Sequence, residues 1–187
     1  DRRGSFYKRP AHAGRVTLVL GAGNVASIPM QDVLTRLFND GTVCVLKMNP
    51  VNAYLGPLFA EACAPLIDAG WLAIVYGGGE VGACLATHPD VDEIHITGSD
   101  RTYDAIVWGA TPDEQRARKA ARTPLNNRPV SAELGNILPV LLVPGPYSAR
   151  ELAYQARDVA GYVTGNASFW CTAAKMLVLP RGAGESE

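Results

Sequence analysis

Short apolar runs alternate with longer amphipathic segments along most of this chain, and glycines close several of the runs. The run at 15–20 ends at Gly21-Ala22-Gly23, and the run at 71–76 ends at Gly77-Gly78-Gly79. Parallel strands need a long crossover connection, usually a helix, and they therefore produce this alternation. The sequence predicts an α/β fold, a Rossmann-like parallel sheet with flanking helices.

Four strands and four helices are predicted before residue 110. The second helix should be interrupted at Pro57 and Pro65, because proline breaks the helical hydrogen-bond ladder. The predicted strands are 15–20, 42–47, 71–76 and 92–97, and the predicted helices are 28–39, 52–68, 80–87 and 98–109.

A polar stretch at 110–128 is interpreted as a connection that carries an insertion. Its charged segment at 113–122 is expected to form a solvated loop or helix face, as charge runs usually do. The later predicted elements are extended segments at 129–134, 138–143 and 175–179, and a helix at 148–163.

Charge and hydropathy exclude several partners. With 17 basic and 18 acidic residues the net charge is −1, which gives no electrostatic reason to expect nucleic acid or an anionic membrane as a partner. No apolar run reaches transmembrane length, and residues 1–9 lack the apolar stretch of a signal peptide. A start without methionine fits an excerpt or a processed product.

The four cysteines are expected to be free thiols in a reducing, cytoplasmic compartment. Cys44 lies in a buried-strand pattern, while Cys63 and Cys84 lie in alanine-rich helical patterns where a thiol packs as a small hydrophobe. We predict no metal site, because zinc spacing is missing and the thiols do not cluster with the histidines, His12, His88 and His95.

The segment at 165–179 places the remaining cysteine, Cys171, in a small-residue loop just ahead of a predicted strand. Glu133 supplies a carboxylate upstream, and Asn24 supplies an amide. A thiolate, a carboxylate base and an amide donor are the groups needed to attack a carbonyl, stabilise its oxyanion and admit water. The alternatives are a packed core thiol at Cys171, a surface acid at Glu133 and a plain turn at Asn24.

Two turns could meet a dinucleotide, which binds such sheets at the carboxyl ends of the strands. They are Gly77-Gly78-Gly79 and Gly98-Ser99, where glycine allows close approach and the serine hydroxyl can donate to phosphate. Neither matches the usual glycine-rich fingerprint, and a glycine triplet by itself is more often a tight turn. Lys47 ends an apolar strand, where it either meets the ligand or extends its amine to solvent.

The order of these motifs resembles that of the aldehyde dehydrogenase superfamily. The resemblance runs from about Gly14 to Leu179, whereas members are normally more than twice as long as this chain. The supporting strings are Val45-Leu-Lys-Met-Asn-Pro50, His88-Pro-Asp-Val-Asp-Glu-Ile-His-Ile-Thr-Gly-Ser99, Ala132-Glu-Leu-Gly135 and the segment around Cys171. The resemblance implies a dinucleotide-binding domain at 1–133, incomplete at its N-terminus, and the truncated start of an α/β catalytic domain at 134–187.

The resemblance also implies a role for each matching residue. Cys171 would be the nucleophile, the Asn24 amide with the Cys171 N–H would hold the oxyanion, and Glu133 would activate water. Lys47 would meet the adenine ribose of NAD or NADP, and Ser99 its pyrophosphate.

Several residues depart from the family pattern. Ala22-Gly23 stand where a Pro-Trp pair is common, and Ser168-Phe169-Trp170 fill the places just before the cysteine. Pro50 occupies the place where many members carry a glutamate that grips the ribose, which leaves both NAD and NADP open. Tyr103 replaces a common glycine. We therefore expect a bulkier, more aromatic pocket beside the thiol.

The resulting hypothesis is an oxidoreductase that converts an aldehyde, as a small-molecule substrate, to a carboxylic acid through a cysteine thiohemiacetal and thioester, with hydride transfer to NAD(P). The alternatives are an acylating enzyme that uses coenzyme A as the acceptor and a non-catalytic binding module that retains the fold. The full-length protein is expected to be a homo-oligomer. These 187 residues alone are expected to be inactive, because a nicotinamide pocket needs further walls.

Overall fold

The computed structural model describes residues 5–8, 11 and 13–180, which form two compact units divided between Leu134 and Gly135. His12 and residues 1–4 and 9, which entered the expectations about metal ligands and a signal peptide, lie outside the described residues. Within the described part, no helix is long and apolar enough to cross a membrane.

A five-stranded, wholly parallel sheet forms the first unit, as the alternating pattern predicts. The strand order is β3-β2-β1-β4-β5. The strands are β1 (Val16–Leu20), β2 (Val43–Lys47), β3 (Leu72–Val75), β4 (Glu93–Gly98) and β5 (Val130–Leu134). The predicted α/β class with a Rossmann-like sheet is confirmed.

Helices connect consecutive strands of this sheet. Pro57 and Pro65 each lie at the start of a separate helix, so the predicted interruption of the second helical segment is found. The helices are α1 (Ile28–Thr35), α2 (Gly56–Ala62), α3 (Ala64–Asp68), α4 (Gly79–Thr87), α5 (Asp100–Val107) and α6 (Pro112–Ala121), with 3₁₀ turns at Ser5–Lys8 and Pro50–Leu55 and a π-helical turn at Arg36–Asp40.

Both faces of the sheet are buried because successive strand residues point to opposite sides. In β1, Leu18 and Leu20 enter one apolar cluster while Val19 enters the other. The first cluster consists of Leu18, Leu20, Ala86, Val91, Ile94 and Ile96, and the second of Val19, Val33, Cys44, Leu46, Met48 and Leu72.

Helix α6 lies within the predicted connection at 110–128, where the charged segment was expected to form a solvated loop or helix face. The Thr111 hydroxyl accepts from the Glu114 backbone N–H while the Glu114 carboxylate accepts from the Thr111 N–H, a reciprocal cap at the helix start. Arg118 and Lys119 in its last turn complement the helix dipole. The sequence did not decide between loop and helix, because α6 buries none of its residues and therefore has no apolar periodicity.

The second unit contains two parallel strands and one helix. Strands β6 (Leu138–Leu141) and β7 (Ala174–Val178) pair directly, and α7 (Ala149–Thr164) connects them with a 3₁₀ turn at Gly165–Ser168. Ser148 and Glu151 form another reciprocal cap at the start of α7. Hydrogen bonds from the Ser148 backbone and side chain hold the pKa of Glu151 below its usual value.

The cysteines differ in exposure. Cys44 is buried, as expected, and Cys63 is half-buried. Cys84 corrects the expectation of a packed thiol, because it lies on the exposed side of α4. All four cysteines are free, and among the described residues no three His, Cys, Asp or Glu side chains group to hold a metal ion.

Candidate active site

The carboxyl ends of the five parallel strands form a single rim of the first unit. The chain winds from β1 outward through β2 and β3, then returns to add β4 and β5 on the other side of β1. This reversal creates a crevice between the ends of β1 and β4, the place where open α/β sheets bind ligands. The predicted residues on this rim are Asn24, Lys47, Gly77, Gly98 and Ser99.

The loop after β1 is held in place by asparagines from the next crossover. Asn52, which is buried, donates from Nδ2 to the Ala22 carbonyl over 3.1 Å. Gly23 packs so closely on Asn49 that an added Cβ would lie 2.7 Å from the Asn49 side chain. These contacts position half-exposed Asn24 beside the crevice.

The turn after β4 leaves its backbone open. A Cβ added at Gly98 would meet nothing nearer than Ile96, at an ordinary 3.5 Å, so the fold itself does not require glycine there. Ser99 is the N-cap of α5, and its hydroxyl oxygen accepts from the Thr102 backbone N–H over 3.1 Å. The Arg101 N–H donates to the Asp100 carboxylate over 2.9 Å, so Ser99 and Asp100 both satisfy backbone groups at the start of α5. The positive end of this helix lies at the carboxyl end of β4, as in anion-binding helix starts.

The three glycines after β3 differ in whether the fold requires glycine at their position. Gly77 adopts φ +138°, and an added Cβ would lie 2.4 Å from Val81 Cγ2, so the turn itself requires glycine there. The Gly78 N–H donates to the Glu80 carboxylate over 3.0 Å. Gly79 has open space where a Cβ would point. For Gly77, the tight-turn interpretation is sufficient without a ligand.

Lys47 ends β2 and is largely buried, at 8% exposure. Burial lowers the pKa of its amine, and the negative charge of Glu80 partly offsets that effect. Glu80 stands in the first turn of α4, where hydrogen bonds from its own backbone and from Gly78 hold its pKa below the usual value and Lys47 adds to that effect. A buried amine and a carboxylate therefore interact at the rim above β2 and β3.

Replacement of Lys47 by methionine should stabilise the chain at neutral pH. The folded state disfavours the ammonium, so its cost to stability is present at low pH and disappears as pH rises through the lowered pKa toward the ordinary value of 10.5. Urea unfolding of both proteins should show the advantage of Lys47→Met shrinking as pH approaches 10.5. A constant difference over that range would contradict the burial of a charged amine.

Glu133 lies on β5, the edge strand, and its side chain is exposed. Its neighbour Ala132 packs against the first apolar cluster, so Glu133 projects from the opposite face of the sheet. In the register of the two strands, the Glu133 Cα pairs with that of Thr97, directly below the end of β4. The acid is therefore solvent-accessible at the outer end of the rim.

Cys171 lies in the second unit, in an exposed turn immediately before β7. The loop ahead of it has three consecutive non-glycine residues at positive φ, Asn166, Ala167 and Ser168. The Trp170 ring lies over Gly165, where an added Cβ would be 2.8 Å from the ring. Backbone strain in a non-glycine loop is a feature that accompanies functional sites more often than ordinary turns.

Six of the seven predicted residues thus lie at or next to one edge of one sheet in the first unit, and the seventh, Cys171, belongs to the second unit. The convergence of the thiol with Asn24 and Glu133 stays a prediction. Sequence reasoning missed Glu80, Asn49 and Asn52, which support the rim. An acid in the first turn after a glycine triplet was the available signal for Glu80.

The thiols are expected to react with iodoacetamide in an order that follows their surroundings. Burial raises the pKa of Cys44 to about 12, so this thiol should stay unmodified in the folded chain and react only after unfolding. Cys171 and Cys84 are both exposed, which makes Cys84 the matched control for accessibility. Mass spectrometry of timed samples should show Cys171 modified faster than Cys84, and equal rates would count against an activated nucleophile.

An open, doubly wound parallel sheet with ligand-facing turns at its switch point defines a nucleotide-binding class of α/β protein. Comparison with family models refines this class, because residues 16–182 match the model of the aldehyde dehydrogenase family. The chain belongs to the aldehyde dehydrogenase family.

Individual proteins agree with this assignment. Aldehyde dehydrogenase family 2 member B4 of Arabidopsis thaliana is 37% identical over 107 residues, covering 54% of this chain and 17% of that protein. The structure of proline utilization A of Bradyrhizobium japonicum matches with a TM-score of 0.66 at 27% identity, covering 90% of this chain and 16% of that one. An NAD-dependent aldehyde dehydrogenase of Sinorhizobium meliloti matches in fold with a TM-score of 0.66 at 24% identity, covering 90% of this chain and 30% of that one. The chain spans less than a third of each of these proteins.

Proposed function

We propose that this chain forms the dinucleotide-binding part, and the beginning of the catalytic part, of an enzyme that oxidises an aldehyde with NAD or NADP. The observation that carries the proposal is the rim of the five-stranded sheet, where Asn24 follows β1, Lys47 ends β2 and Ser99 follows β4, three adjacent strands at the switch point. Family membership supports oxidoreductase chemistry on an aldehyde.

The rim suits a dinucleotide. The Ser99 hydroxyl at the positive end of α5 would hold the pyrophosphate, and the open space at Gly98 would admit its oxygens. The Lys47 amine, close to the Glu80 carboxylate, would meet the adenine ribose. Pro50, three positions after Lys47, offers no carboxylate to repel a ribose phosphate, so NADP is accepted as well as NAD.

The chemistry divides between the two units. The Cys171 sulfur bonds to the aldehyde carbon, and the oxyanion that results accepts hydrogen bonds from the Asn24 amide and the Cys171 N–H. Each such donor is typically worth about 3 kcal/mol of barrier. Loss of a hydride from the thiohemiacetal leaves a thioester on Cys171, and a nicotinamide bound at the rim would supply the acceptor for that hydride. Glu133 then takes a proton from water as the water attacks the thioester carbonyl, and the carboxylic acid leaves Cys171 as a thiolate.

The test is aldehyde-dependent reduction of NAD and NADP by the whole protein, with substitutions that separate the steps. Cys171→Ser should abolish reduction. Glu133→Gln should permit one turnover per site and then stop, with an acyl group retained on Cys171 that mass spectrometry can detect. Ser27→Ala, at an exposed position whose hydroxyl makes no capping bond, is the matched control and should leave turnover unchanged.

The same assay distinguishes the alternatives. Acyl-CoA formed when coenzyme A is supplied, with Glu133→Gln still active, would identify the acylating enzyme. Dinucleotide binding without reduction of either cofactor by any aldehyde would identify a non-catalytic binding module.

A further inference from the structure

Two opposite charges lie together on the rim above β2 and β3, at the place where the proposed function puts the adenine ribose. Lys47 ends β2, and its Cα pairs with that of Val75 on β3. The Met48 N–H donates to the Val75 carbonyl over 2.9 Å, so the two strands stay joined up to the rim. Glu80 follows β3 in the first turn of α4, and its negative charge acts on the Lys47 amine.

The Glu80 carboxylate is held against the turn that precedes α4. Its Oε1 accepts from the Gly78 N–H over 3.0 Å. A Cβ added at Gly78 would lie 2.6 Å from Glu80 Oε2, so the whole carboxylate lies close to this backbone. Hydrogen bonds from the backbone of Glu80 and Gly78 hold the pKa of the acid below its usual value, so it is an anion at neutral pH. Each carboxylate oxygen can accept a further hydrogen bond, so a ligand hydroxyl can still bind there.

The two groups favour different cofactors. In doubly wound sheets an acid accepts a hydrogen bond from the ribose 2′-hydroxyl of NAD, whereas a nearby cation such as arginine accommodates the 2′-phosphate of NADP. Lys47 is largely buried and Glu80 is exposed, so a ligand that arrives from solvent meets the carboxylate first. A phosphate carries about −1.5 to −2 charges at neutral pH, and a carboxylate a few ångströms away repels it.

We propose that Glu80 determines the cofactor preference of the rim and favours NAD over NADP, an inference that rests on the proposed function. The carboxylate accepts from the ribose 2′-hydroxyl of NAD and repels the 2′-phosphate of NADP. Pro50 supplies no acid after β2, so the discrimination between the two cofactors comes from α4. Both cofactors bind, and NAD binds more tightly.

The test is isothermal titration of the whole protein with NAD and with NADP, in the absence of aldehyde. We expect the parent to bind NAD at least about tenfold more tightly than NADP, and Glu80→Gln to lose most of this difference by gaining affinity for NADP. Glutamine keeps the shape of the side chain and an oxygen for the Gly78 N–H. Glu61→Gln, which removes the same charge from an exposed position on α2, is the matched control and should keep the ratio of the parent.

Gly78→Ala tests the position of the carboxylate without changing the charge. The new Cβ would displace the flexible end of Glu80 from the turn, because the two would otherwise lie 2.6 Å apart. The preference for NAD should fall at least about threefold in this variant, since repulsion depends on the distance between the charges. This second variant decides the matter where Glu80→Gln fails to fold.

The outcomes distinguish the role of Glu80 from the proposed function. Equal preference for NAD in the parent and in folded Glu80→Gln would overturn the role of Glu80, while binding of both cofactors would still support the dinucleotide rim. A parent that prefers NADP would overturn the role of Glu80 as well. Binding of neither cofactor by the parent would contradict the proposed function, and the role of Glu80 would fall with it.

Discussion

Replacement of Gly98 by valine should weaken binding of NAD and NADP to this chain by at least about tenfold, equivalent to about 1.4 kcal/mol. The reason is steric. Gly98 ends β4 at the switch point, and the space in front of it is the space that a pyrophosphate would occupy. The fold should tolerate the change, because an added Cβ meets only Ile96 at 3.5 Å and a β-branched residue suits a strand.

Two measurements separate the expected loss of dinucleotide binding from any loss of stability in Gly98→Val. Isothermal titration gives the binding constant, and urea unfolding should place the stability within about 0.5 kcal/mol of the parent. Gly14→Val is the matched control, since Gly14 also has open space but precedes the opposite end of β1. Equal binding by Gly98→Val and Gly14→Val would show that the dinucleotide does not approach β4.

Gly77→Ala is expected to destabilise the first unit by about 2–4 kcal/mol, the largest stability change that a single methyl group should cause in this turn. Gly77 has φ +138°, which an alanine adopts only with strain, and its new Cβ would lie 2.4 Å from Val81 Cγ2. The midpoint of urea unfolding should fall accordingly.

Gly79→Ala provides the matched comparison two residues away. Its Cβ would point into open space at the start of α4, so this variant should be unchanged or gain up to about 1 kcal/mol from the better helix propensity of alanine. Similar losses in both variants would contradict the assignment of strain to Gly77 alone.

The strands of the first unit were predictable because each is an apolar run with a clear stop. Residues 43–47 and 93–98, for example, are buried on both faces and end in Lys47 and Gly98. Helix α6 was not predictable by the same means, because its capping residues, Thr111 and Glu114, are its only strong signal. Periodicity finds elements that bury a face and misses those that do not.

The candidate site also has features that the sequence predicts and features that it does not. The order of motifs was enough to predict that Lys47 and Ser99 would lie on one rim, because parallel strands all end at the same edge. The support from Asn52 to Ala22, and the contact of His95 with Asp32 and Ser131, join residues far apart in sequence. No local pattern encodes such pairs, since each depends on how the crossovers pack.

Exposure was the least predictable property. Cys84 has an alanine-rich setting that favours burial, yet it lies on the solvent side of α4. Glu133 sits between two less exposed strand residues and is itself accessible because β5 is an edge strand. Sequence alternation shows that two faces differ and does not show which face another element covers.

The most direct test of the proposed dinucleotide rim is a titration of the isotope-labelled chain with NAD and with NADP, followed by amide chemical shifts. We expect the amides of Gly98 and Ser99, the loop at 21–24 and Lys47 to shift together. Absence of shifts on this rim, or shifts confined to a different place such as the cavity lined by Thr87, Ile106, Leu125, Asn126, Asn127 and Arg128, would contradict it.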